Sequence, residues 1–267
     1  MAERDDAIEH VEFLARSRTR ISILETLLNR GEVSRDDLRA ELDVASSTAG
    51  RALRSLVDRG WVDNEGQTYR LSPVGEVVAS EFLSLTETVR AVDDLTPFLR
   101  WFPHHEYDLA VSDLRDADVT VAREGDPYAP ARRHRDTLRT AREFRALLPS
   151  IDVEGIRATD DRLRNGELTA EMIGGRAVAD TVASEEYAPL LREQVETGNL
   201  TLRTLDTEPP FFLGLTGDGL VQIGVEDDDG FPQALVETDS VAVREWAAEL
   251  YREHRERSVE LSSGDLI

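Results

Sequence analysis

Ser47-Thr48-Ala49-Gly50-Arg51-Ala52-Leu53-Arg54-Ser55-Leu56-Val57-Asp58-Arg59-Gly60-Trp61-Val62 is the stretch on which the reading of the fold turns. Placed at 100° per residue, Ala49, Ala52, Leu53 and Leu56 cluster on one side. Ser47, Arg51, Arg54 and Asp58 form a narrow stripe on the other. The spacing predicts a helix from about Ser46 to Arg59 with one core face and one polar face, ended at Gly60.

Upstream, Ile21, Leu24, Leu27 and Leu28 fall at helical spacing between Arg18 and Asn29, with Gly31 as the C-terminal cap. Ser34-Arg35-Asp36-Asp37 has the serine and acid of a capping-box start. Leu38 and Leu42 then give a short second helix its buried stripe, and Asp43-Val44-Ala45 makes the turn. Downstream, Trp61 to Leu71 reads as two short strands around a turn at Asn64 to Gln67. Three helices and a hairpin predict a winged helix-turn-helix.

The quoted stretch resembles the recognition helix and first wing strand of archaeal winged-helix transcription regulators. Tyr69-Arg70-Leu71-Ser72-Pro73-Val74-Gly75 is similar to the end of their wing, and together the motifs cover about residues 15 to 80. Two positions depart from the pattern. Ala45 stands where a capping serine or threonine is usual, and Asp63 and Glu65 make the wing tip acidic, which weakens the expectation of phosphate contact there. An α-helix fits the major groove, and arginine can donate two hydrogen bonds to guanine. The expected DNA-binding set is Ser46, Ser47, Thr48, Arg51 and Arg54, with Gln67 and Arg70 from the wing.

Pro73 is well placed to begin a further helix. Val78, Leu85, Val92 and Leu99 recur every seven residues with Phe82 and Val89 between them, a heptad seam that Thr96-Pro97 should end or kink. Val78, Phe82, Leu85, Val89 and Val92 are therefore the expected dimerisation surface of a homodimer. The alternative is a helix packed on its own C-terminal domain.

The chain has 267 residues, enough for two domains, and a net charge of −23. All 31 basic residues are arginine. At molar salt the screening length is about 3 Å, so a large acid surplus is tolerated. This lysine-free, acidic composition resembles that of haloarchaeal cytoplasmic proteins. No apolar stretch approaches the length of a membrane helix, and the first residues lack a signal-peptide pattern, so a cytoplasmic location is expected. The charge is uneven: residues 1–75 carry 11 arginines and 14 acids, whereas residues 76–267 carry 20 and 40.

Beyond about residue 104 the pattern becomes mixed. Strands are expected at Ala117–Ala122, Leu168–Ile173, Leu200–Leu205, Phe211–Leu215, Leu220–Val225 and Gln233–Glu237. Helices are expected at Ala131–Leu148, Glu185–Thr197 and Ser240–Arg257. Gly214, Gly217 and Gly219 read as hairpin glycines, since no phosphate-loop pattern surrounds them. The order resembles the sensor domain behind winged helices in archaeal regulators, notably the middle domain named for a methanogenesis regulatory protein. More faintly, it resembles the phospholipase-D-like effector domain of archaeal sugar-responsive regulators. The fold class is thus α+β: a winged helix-turn-helix at 1–75, a helical connector at 76–103 and a mixed α/β effector domain at 104–267.

Catalysis is not expected. Zero cysteines remove thiolates, and phospholipase-D chemistry needs a lysine beside its histidine, which the chain lacks. Neighbouring His104 and His105 are expected to point apart in an extended segment, so no metal or cofactor is assigned. In the expected helix from Ala131 to Leu148, Arg132, Arg135, Arg139 and Arg142 line one side, a candidate site for an anionic effector or flanking DNA. A solvated face paired with nearby acids is the plainer alternative. The expected function is a sequence-specific DNA-binding transcriptional regulator whose operator affinity responds to a small-molecule or anionic effector or to dimerisation. The alternative is a protein-interaction adaptor built on the same winged helix.

The charge distribution sets the first test. Lowering KCl is expected to unfold the part after residue 75 before the nearly balanced part preceding it, because acidic self-repulsion is least screened there. Site-resolved melts at several salt concentrations check this. Equal salt sensitivity in the two parts overturns the halophilic reading.

Overall fold

The computed structural model describes residues 2–42 and 44–266. They form two compact units that divide between Val89 and Arg90. Each builds its own core.

In the first unit, helices α1 (Ala2–Ala15) and α2 (Arg18–Arg30) precede strand β1 (Glu32–Ser34), helices α3 (Arg35–Glu41) and α4 (Ser46–Val57), and strands β2 (Val62–Glu65) and β3 (Thr68–Leu71). Helix α5 (Pro73–Leu99) starts here and continues into the second unit. Ser17 and Ser34 cap α2 and α3 by accepting from Arg20 N and Asp37 N, whereas Ala45 gives α4 no side-chain cap. The three strands pair antiparallel in the order β1-β3-β2. Ile23, Leu24, Leu27, Leu38, Ala49, Leu53, Leu56 and Trp61 meet in one apolar core. Sequence reading had no element for α1 or β1. Strand β1 is only three residues long and is defined by its pairing with β3.

In the second unit the order is β4 (Asp118–Val121), α6 (Ala129–Leu138), β5 (Glu143–Leu148), α7 (Val153–Arg164), β6 (Thr169–Gly174), α8 (Arg176–Val182), α9 (Ala188–Glu196), β7 (Leu200–Thr204), β8 (Phe212–Thr216), β9 (Val221–Glu226), β10 (Pro232–Thr238), α10 (Val241–Arg257) and β11 (Val259–Leu261). The strands form a mixed eight-stranded sheet in the order β11-β7-β6-β5-β8-β9-β10-β4. Only β5-β6-β7 run parallel. Both faces are covered. Phe144, Ala146, Leu148 and Ala170 join Leu138, Ile156, Val178 and Leu191 from α6 to α9 on one side. Leu147, Leu213, Ile223 and Val236 join Val243, Ala247 and Tyr251 of α10 on the other. Tyr251 donates to Glu171 Oε1 at 2.7 Å, and Arg255 does the same at 2.7 Å, fastening α10 to β6.

One expected helix is wrong. Ala131–Leu148 is not continuous: α6 ends at Leu138, and Glu143–Leu148 is the strand β5. The spacing of Leu138, Ala141, Phe144 and Leu148 satisfies a helical period. However, Phe144, Ala146 and Leu148 also satisfy the period of two of a strand, and Leu147 is buried on the opposite face. Pairing with β6 and β8 decides between them. Gly214 also differs from its reading as a hairpin glycine. It lies within β8, where an added Cβ would sit 3.0 Å from the Phe144 and Phe212 rings. The Thr96-Pro97 stop is displaced slightly, since α5 runs on to Leu99.

The first unit is closed by a tight crossing at the start of α5. Ser72 donates to Gly60 O at 2.6 Å and accepts from Gly75 N at 3.0 Å. This brings Gly75 so close that a Cβ there would lie 1.8 Å from Trp61 O. Gly75→Ala is therefore expected to destabilise the first unit by about 1–3 kcal/mol through backbone displacement. Denaturant midpoints read it, and an unchanged midpoint removes the crossing as a constraint.

Candidate functional site

Two places on the molecule present organised chemistry, one in each unit. The first is α4. Its Ala49, Ala52, Leu53 and Leu56 are buried, while Ser46, Ser47, Arg51 and Arg54 are exposed and Thr48 is half-buried. The Arg51 guanidinium lies back along the helix and donates to Ser47 O at 3.3 Å. Five of the expected DNA-binding residues are thus brought to one helix. Of the wing pair, Gln67 is exposed in the β2–β3 turn. Arg70 is paired with Glu65 at 2.7 Å and lies 3.6 Å from Asp63, so the acids of the wing hold their own arginine.

The expected dimerisation seam divides. Phe82 is 8% exposed and Val78 packs beside it in the first unit's own core. Leu85, Val89 and Val92 are 51%, 55% and 38% exposed. Phe82 is therefore corrected from a seam residue to a core residue, because the heptad period drifts relative to 3.6 residues per turn and carries it onto the buried face. Val74, Leu85, Val89 and Val92 fall within an arc of roughly 60° and leave an apolar stripe on α5.

The expected stripe of Arg132, Arg135, Arg139 and Arg142 does not form, because α6 ends at Leu138 and Arg142 lies beyond it. Arg132 makes a two-pronged pair with Asp126, Arg139 pairs with Asp136, and Arg135 lies 3.9 Å from Asp152. The plainer alternative, arginines facing nearby acids, describes these three.

The second place is a cavity of about 740 Å³ inside the second unit, beneath α6 and α7 and over β5, β8, β9 and β10. Leu138, Phe144, Leu148, Met172, Phe212 and Leu235 supply much of its wall. Phe212 pairs across the strands with Gly224, whose missing side chain leaves room for the ring: a Cβ there would stand 3.1 Å from Phe212 Cδ1.

His134 enters this wall from α6, with ring contacts to Phe144 at 5.5 Å and Phe212 at 4.6 Å between centroids. Behind it lies a polar network. Glu237, 3% exposed, is ion-paired to Arg133 and accepts from Thr137 Oγ1 at 3.2 Å and Gln222 Nε2 at 2.8 Å. Gln222 Oε1 faces His134 Nδ1 at 2.8 Å. Burial pushes the His134 imidazole below the ordinary histidine value, an effect that the bond to Gln222 only partly offsets. At the cavity's edge, burial raises the Glu226 carboxyl, Ser150 opposes this with a 2.6 Å hydrogen bond, and Asp227 reinforces it. Sequence reading missed the cavity entirely, since its wall is assembled from distant segments. The pattern Arg133-His134 followed by Thr137, one helical turn on, was the local signal available.

Two family models match this sequence. Residues 8–94 match the HVO_A0261 N-terminal domain, and residues 127–257 match the middle domain of the methanogenesis regulatory protein FilR1. The methanogenesis regulatory protein FilR1 of Methanothrix harundinacea (strain 6Ac) is 26% identical over 285 aligned positions, which cover 100% of this chain and 61% of that protein. The chain thus spans less than two thirds of the length of this relative. Among solved structures, TrmBL2, described as an archaeal chromatin protein with a novel mode of DNA binding, gives a TM-score of 0.43 at 15% identity, covering 94% of this chain and 98% of that one. Nuc from Salmonella typhimurium, a phospholipase D family member, gives 0.43 at 12% identity, covering 55% and 99%.

The state of His134 makes stability pH-dependent. Its folded-state value lies below the unfolded one, so as pH falls the unfolded chain takes up the proton first. Its contribution is full above about pH 6.5 and is lost progressively below it. The wild-type melting temperature is expected to fall more steeply from about pH 7 to 5.5 than that of His134→Phe. Identical slopes in the two proteins rule out a neutral, buried His134.

Proposed function

We propose that this chain is a DNA-binding transcriptional regulator in which a winged helix-turn-helix, formed by α2 to β3, reads an operator and the second unit modulates it. The observation that carries the reading is α4: one face is buried in the core, and the other presents Ser46, Ser47, Arg51 and Arg54 to solvent. The likeness to FilR1, named as a regulatory protein, supports it. Major-groove readout by α4 needs side-chain donors at one end of an exposed face, and this helix has them. The wing contributes little, because Arg70 is already matched by Glu65 and Asp63.

The regulator acts as a homodimer in a cytoplasm of high salt. The apolar stripe of Val74, Leu85, Val89 and Val92 supports the first statement and the lysine-free acid surplus the second. At such salt, counterion release weakens, so base-edge hydrogen bonds carry a larger share of affinity than phosphate contacts do. Regulation is a coupling between effector and operator, transmitted because the effector prefers one arrangement of the protein.

The experiment is operator binding in multimolar KCl, with the operator taken from genomic occupancy. Arg51→Ala and Arg54→Ala are each expected to weaken specific binding by about 1–3 kcal/mol with folding intact, and Arg70→Ala by less. Full affinity in both recognition-helix variants removes α4 from the readout. In sedimentation, Leu85→Glu with Val89→Glu is expected to convert a dimer into a monomer, and a monomeric wild type overturns the role given to α5.

A further inference from the structure

The cavity of the second unit has a polar atom whose orientation is dictated from behind. Glu237's carboxylate can only accept, so the Gln222 amide must turn its N–H group toward it and its carbonyl toward His134. The imidazole then donates through Nδ1 and is left with Nε2 as an acceptor on the opposite ring edge. Gln222 lies outside the cavity wall and His134 lies in it, so that opposite edge faces the cavity. Desolvation, which holds the ring neutral, preserves the acceptor. An acceptor presented to a largely apolar cavity favours a ligand that brings a donor to it.

Among the described residues, the rest of the wall offers no free cation to an anion. Its two arginines already face acids: Arg132 is bound to Asp126, and Arg135 lies beside Asp152. Glu226 is engaged by Ser150 at 2.6 Å. A volume of about 740 Å³ lies within the range of small-molecule sites.

We propose that this cavity binds an uncharged, largely apolar small molecule that donates one O–H or N–H hydrogen bond to His134 Nε2. Its role as the effector rests on the regulatory reading above; the binding itself is measured on the protein without DNA.

The probe is N-phenyl-1-naphthylamine, a neutral apolar fluorophore with a single N–H. Its anionic control is 1-anilinonaphthalene-8-sulfonate, which adds a sulfonate to the same rings. Both are titrated into the full chain in multimolar KCl. The neutral probe is expected to bind saturably, at one site, about tenfold or more tighter than the sulfonate. Met172→Trp, which fills the cavity, is expected to abolish binding, and His134→Phe to weaken it about three- to tenfold, the effect of one hydrogen bond. Far-ultraviolet dichroism establishes that each variant folds, and Ala131→Trp, on the helical wall, replaces Met172→Trp if that protein does not.

Absence of saturable binding overturns the proposal. So does equal or tighter binding of the sulfonate, or unchanged affinity in a cavity-filled variant or in His134→Phe. Probe binding by a chain that fails to bind any operator leaves the ligand site standing and sinks the regulatory reading alone. Operator binding without probe binding does the reverse.

Discussion

Glu237 places a carboxylate at 3% exposure in a sheet whose buried positions are mostly apolar. A charge so placed is tolerated only if its lone pairs are met. Here they are met by Arg133 and Thr137 from α6 and by Gln222 from β9. Helix α6 is therefore fixed to the sheet by polar bonds as well as by Leu138. The same bonds set the height and rotation at which His134 enters the cavity wall. Geometry, tautomer and accessible acceptor all follow from one buried acid.

The cavity also depends on how the sheet is covered. Strand β5 has Phe144, Ala146 and Leu148 on the face toward α6 to α9, and Leu147 on the face toward α10. With both faces roofed by helices, space remains over β8 and β9 where glycine replaces a side chain. Gly224 and Gly214 lie on neighbouring strands, and each leaves room for an aromatic ring of the wall. Among the described residues no buried side-chain polar atom lacks a hydrogen-bond partner.

In the first unit the corresponding constraint is a close backbone approach. Ser72 joins Gly60 to Gly75, its own N–H bonds Trp61 O at 3.0 Å, and Trp61 is buried with α4 and the hairpin. The end of the hairpin is thereby fixed to the beginning of α5. Helix α5 buries Ala79 and Phe82 in the core of the first unit and Ala91, Leu95 and Phe98 in that of the second. Val74, Leu85, Val89 and Val92 remain apolar and exposed on the same helix, an arrangement that simple amphipathicity does not produce.

Local patterns were sufficient for α2 to α4 and the β2–β3 hairpin of the first unit, though not for α1 or for β1, which is defined by its pairing with β3. Ala49, Ala52, Leu53 and Leu56 each recur at helical spacing and each is buried, so the polar face of α4 was legible from Ser47 to Arg54 before any contact was known. The terminal helix was legible for the same reason, through Val243, Ala247 and Leu250. Periodicity failed where two periods fit the same residues, as between Leu138 and Leu148, because only pairing with β6 and β8 distinguishes a strand from a helix there. It failed again at Phe82, where a heptad count places on the seam a side chain that the helix turns into the core. The arginines of α6 read either as a candidate anion site or as a face paired with nearby acids, and which acids reach them is set by the folded chain, which brings Asp126 and Asp152 beside them. The ligand cavity was beyond sequence altogether. His134 and Gln222 stand 88 positions apart, and the orientation of an imidazole is fixed by what the folded chain brings behind it.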